Sequence, residues 1–194
     1  MDETSDPFEY FFGLPWSDGL PVVTPTAERI EWMLGGTGRD PGESLGGVPP
    51  AYNEATVEGV AQHAVMAGCR PEYLPALLGA VEAMLIEQFN INGLQGTMGP
   101  GGPMIIFNGP YAKQIGIHGG SGCFGPGFRA NATIGRAIRL ILMNLGGGLP
   151  GISDMKRVSK ILSFSMDRFW GGRSQMEGLL ASNSHSLTNL CFKR

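Results

Sequence analysis

The segment near residues 131–145 constrains this chain most. Ile134, Ala137, Ile138, Ile141, Leu142 and Leu145 recur there at helical spacing, while Leu140 and Met143 fall on other sides. A helix with one apolar stripe can lie on a surface, but one that is apolar on more than one side must be covered by other elements. The segment therefore predicts a central helix, stopped by Gly146-Gly147-Gly148. Two further helices follow from the same period. In the first, Asn53 is the expected N-cap, Val57, Val60, Ala61, Ala64 and Val65 form the inner face, and Gly68 ends it. The second opens on Pro71, which a first helical position tolerates, and carries Leu74, Leu77, Leu78, Val81, Met84 and Leu85 on one stripe. A shorter helix is expected over about 27–34, capped by Thr24 or Thr26 and ended at Gly35-Gly36.

Met104-Ile105-Ile106-Phe107 is a continuous apolar run of the kind that forms a buried strand. Leu94 to Met98 reads as a second strand and Leu20 to Thr24 as a short β-like run, whereas 35–50 reads as loop. The expected fold is α/β (or α+β), a small mixed sheet flanked by three to four helices and joined by Gly-rich loops. Residues 1–17 hold Phe8, Tyr10, Phe11, Phe12 and Trp16 and are expected to be an aromatic arm that packs on a surface, its own or a partner's. Residues 18–155 make the single domain. The tail 156–194 is basic and Ser-rich, has no sustained apolar period, and is expected to pack weakly or not at all.

A net charge of −3 gives no general pull toward nucleic acid or an anionic membrane. No apolar run approaches the roughly 20 residues that span a bilayer. The acidic opening Met1-Asp2-Glu3 is unlike a secretory signal, so a cytoplasmic, reducing location is expected. Cys69, Cys123 and Cys191 are odd in number and widely spaced, which predicts free thiols and no metal site. With only 16% charged residues, much of the surface is Gly, Pro, Asn and Ser, and a homo- or hetero-oligomer is expected.

The stretch 90–130 is dense in glycine, and its last part, Gly119-Gly120-Ser121-Gly122-Cys123-Phe124-Gly125-Pro126-Gly127-Phe128-Arg129-Ala130-Asn131, leads into the central helix. Loop amides and a helix N-terminus can converge on an anion. Gly120 and Gly122 would supply amides, Arg129 a forked donor, and Asn131 either a cap or a ligand contact. Arg136, further along the helix, can point back toward the loop. Cys123 and Cys69 each stand beside a helix start, where a thiol pKa tends to fall, and His118 can act as acid or base. Each has a plainer reading. The loop can be a tight turn, the cysteines small buried residues, and His63 a satisfied core histidine. No dinucleotide fingerprint or P-loop is present, so a dinucleotide cofactor is not indicated.

Asp18-Gly19-Leu20-Pro21-Val22-Val23-Thr24-Pro25-Thr26, Ala64 to Tyr73 and Gly125 to Leu140 together resemble a bacterial domain of unassigned activity. That domain occurs beside, or fused to, the small redox domain called UGSC after its Sec/Cys-Gly-Ser-Cys motif. The resemblance covers about 18–155 and implies a redox neighbourhood. Gly120-Ser121-Gly122-Cys123 holds a single cysteine, so thiol chemistry of that type would need a UGSC-type partner chain. The tail does not follow the family pattern, which suggests a divergent or out-of-frame C-terminus. The expectations are an enzyme subunit or domain that binds a small anionic substrate, a non-catalytic scaffold for a UGSC-type redox protein, or a truncated inactive product.

Overall fold

A computed structural model of the chain describes residues 7–99, 102–155, 162–165 and 189–192. The fold is mixed α/β. Its centre is α7 (Arg129–Asn144), in which Ile134, Ala137, Ile138, Leu140, Ile141 and Leu142 are fully buried. α3 (Val57–Ala67) and α4 (Leu74–Leu85) pack against it, so the helix that is apolar on several sides is covered by other helices, as its sequence requires. Gly68 ends α3 in the left-handed region at φ 84°, a conformation that favours glycine. Pro71 opens a short 3-10 turn, Pro71–Tyr73, and the α-helix proper begins at Leu74.

Four local expectations are corrected. Asn53 does not cap α3. It begins β2 (Asn53–Thr56), which pairs antiparallel with β1 (Ser44–Val48) inside the stretch expected to be loop. The cap falls to Thr56, whose hydroxyl accepts from Gly59 N at 3.0 Å. β1 reads Ser-Leu-Gly-Gly-Val and is bulged near Gly46, so it lacks the alternation that marks a strand. Leu94 to Met98 is not a strand either. Asn90 caps α5 (Ile91–Gly96) by accepting from Gly93 N at 3.0 Å, and a local cap outweighs a short apolar run. Leu20 to Thr24 pairs with no strand among the described residues, and one bond from Val23 N to Met66 O ties it to the end of α3.

β3 (Met104–Phe107) buries Ile105, Ile106 and Phe107 as its apolar run predicts. The backbone of β4 (Leu162–Ser165) and of β5 (Asn189–Phe192) pairs with it in parallel, one on each side. Among the described residues the strands thus form two small sheets, one antiparallel and one parallel. Apart from these two segments, the expectation for the tail lies outside the described residues, as does the Phe8 side chain of the arm. α1 (Pro7–Phe12) and the residues after it lie on the chain's own domain. Phe11 meets Trp16 with ring centroids 6.1 Å apart, Trp16 packs on the core, and Asn144 Nδ2 donates to Trp16 O at 3.1 Å. α2 (Ala27–Leu34), capped by Thr26, and α6 (Pro110–Gln114) complete the helices among the described residues.

Beyond α7 the chain turns back tightly. Gln95 Nε2 donates to Pro49 O at 2.9 Å, while its buried Oε1 has no hydrogen-bond partner. A Cβ at Gly148 would stand 2.2 Å from that buried oxygen and 2.9 Å from the backbone oxygen of Leu142, so glycine is favoured there.

His63 is the core histidine that its place on α3 suggests. It is buried, with Nδ1 2.7 Å from Gly59 O, so Nδ1 carries the proton and donates. Burial holds its pKa below the ordinary imidazole value. The folded state therefore binds fewer protons than the unfolded one just below pH 6.5, and stability falls as the pH drops through that range. The slope is up to about 1.4 kcal/mol per pH unit and flattens once the native ring protonates. Urea unfolding of wild type and His63→Gln from pH 7.5 to 5 checks this. The wild type is expected to lose more stability on acidification than the variant, and parallel curves would contradict the assignment.

Candidate functional site

The three sequence blocks of the resemblance meet along α7. Asp18, in the segment after the arm, receives a two-pronged ion pair from Arg136. Nε lies 2.8 Å from one carboxylate oxygen and Nη2 2.7 Å from the other. Arg136 Nη2 also lies 3.3 Å from Leu20 O. The expectation that Arg136 turns back toward the Gly-rich loop is therefore corrected, because a carboxylate 118 residues earlier in the chain holds its fork.

At the start of α7, Arg129 Nε donates to Gly68 O at 3.0 Å and so joins the helix to the end of α3. Thr133 Oγ1 donates to Arg129 O at 2.8 Å, and both Thr133 and the Arg129 charge act on the Cys69 thiol. Cys69 and Arg129 are thus neighbours. Even so, burial pushes the Cys69 thiol up to about 12, outweighing the Thr133 contact and the Arg129 charge. This is opposite to the lowered value expected beside a helix start, since the site is dry and only a short 3-10 turn follows it. With a free thiol near 8.5, the thiolate at pH 8 falls from about a quarter of the population to roughly one part in 10⁴. Alkylation of Cys69 at pH 8 is therefore expected to be slow in the native protein and to rise by orders of magnitude in denaturant. Rapid native labelling, mapped by peptide mass spectrometry, would contradict the dry environment.

On the other side of the first turn sits Asn131. It is the third residue of α7 and does not cap it; the cap position belongs to Phe128, which makes no side-chain cap bond. The reason is that the buried Asn131 amide is committed elsewhere. Oδ1 accepts from His118 N at 2.9 Å, and Nδ2 lies 2.9 Å from His118 O and 3.2 Å from Cys123 O. One side chain thereby closes residues 118–123 into a ring. Within that ring Cys123 N donates to Gly120 O at 3.1 Å, and Gly122, at φ 80°, accepts from Gly125 N at 2.8 Å. The His118 ring stacks on Phe128 with centroids 3.9 Å apart, and its Nε2 lies 3.1 Å from Ser121 O. Cys123 is buried against Ile106 and Met104.

The candidate residues therefore fall into two groups. Arg129 and Cys69 lie on one side of the first turn, with Thr133 four residues on from Arg129. His118, Cys123, Gly120 and Gly122 lie with Asn131 on the other, since residues two apart on a helix face different ways. Sequence reasoning missed Asp18, Thr133 and the Phe128 stack. Asp18 and Arg136 both stand inside the blocks of the resemblance, which is the signal that could have paired them. Among the described residues no single helix is long and apolar enough to cross a membrane. No family model, curated protein or solved structure matches the chain.

Proposed function

We propose that this chain is an anion-binding α/β domain that takes a small carboxylate or phosphate compound at the start of α7, between Gly119 and Asn131. One observation carries the reading. α7 is a 16-residue helix that opens with no side-chain cap and no acidic residue in its first turn, and with Arg129 as its first residue. A helix N-terminus carries partial positive charge and exposed amides, so an arginine there is unfavourable unless an anion balances it. Arg129 is exposed, and no carboxylate among the described residues pairs with it. The free amides of the first turn of α7 would add donors, with Gly120 and Gly122 lying on the far side of that turn.

The reading involves no thiol catalysis, because Cys69 is held protonated and Cys123 is buried against Ile106 and Met104. Redox chemistry would belong to a UGSC-type partner. The separation of Cys69 from His118 by the width of α7 favours a second reading, a non-catalytic scaffold for such a partner.

Calorimetric titration with inorganic phosphate and with small mono- and dicarboxylates, on wild type and Arg129→Gln, tests the binding. Saturable binding weakened about tenfold in the variant is expected, which corresponds to about 1.4 kcal/mol for one charge-assisted contact. No saturable heat from any of these anions at millimolar concentration would leave the scaffold as the better reading.

A further inference from the structure

We draw no further inference here: the strongest candidate, the exposed apolar cluster of Met98, Leu149, Ile152 and Met155 where the turn after α7 meets the end of α5, is an unpartnered surface with nothing in the structure to show what covers it.

Discussion

Asp154→Asn is expected to destabilise the fold by about 3–5 kcal/mol, the range for removing one partner of a buried ion pair. Arg139 lies in the middle of the central helix, 7% exposed, among residues that are almost all apolar and buried. Its Nη1 donates to the Asp154 carboxylate, and its Nη2 lies 3.3 Å from Gly148 O. Asparagine keeps the shape of the side chain, so no cavity opens; what is lost is the countercharge. A guanidinium cannot shed its proton at accessible pH, and the buried charge would stand against carbonyl dipoles alone, those of Gly148 and of the new amide. The same pair anchors the turn 147–155, where Leu149 N donates to Ser153 Oγ at 2.9 Å and Met155 N to Gln95 O at 3.1 Å. Urea unfolding followed by circular dichroism measures the effect. A second variant, Arg139→Met with Asp154→Leu, is expected to recover much of the loss because it removes both charges together. A loss below about 1 kcal/mol in Asp154→Asn would mean that water reaches Arg139 and that the pair behaves as a surface contact.

Asn131→Ala is expected to lose about 3 kcal/mol and, more tellingly, to release one loop. The substitution leaves His118 N, His118 O and Cys123 O without the amide that now pairs them. Buried groups that lose a partner cost about 1–3 kcal/mol each, less whatever water recovers once the loop opens. The effect should be local. Amide hydrogen exchange is expected to quicken at His118 and through 119–123, while the middle of α7 keeps its protection. Equal exchange in the two proteins across the loop would show that the turn holds itself together without Asn131.

These two residues show where the sequence was legible. α3, α4 and α7 announce themselves because a buried helix repeats apolar residues at its own period, and Leu74, Leu77, Leu78, Val81 and Ile138 are all buried as that period demands. β3 was legible as a bare apolar run for a similar reason. β1 was not, since a Gly-rich bulged strand carries no alternation, and α5 was hidden because its start depends on one cap at Asn90. The site was less legible than the fold. Composition and spacing place an arginine, an asparagine and a loop of glycines near a helix start. They do not say that Asn131 turns inward to bind the loop, nor that Arg136 spends its fork on Asp18. Such pairings join residues that are remote in sequence, and no local period encodes them. The thiols make the same point. A place beside a helix start argues for a lowered pKa, and burial, which decides the matter for Cys69, is a property of the folded core.

Anion binding at the start of α7 is tested most directly by amide chemical-shift mapping. A ¹⁵N-labelled sample would be titrated with inorganic phosphate at constant ionic strength. Saturable shifts are expected at Gly127, Phe128, Arg129 and Ala130, with smaller ones at Gly120 and Gly122 and none in α4. Shifts that never saturate, or that spread over the surface without favouring these residues, would contradict anion binding at this site.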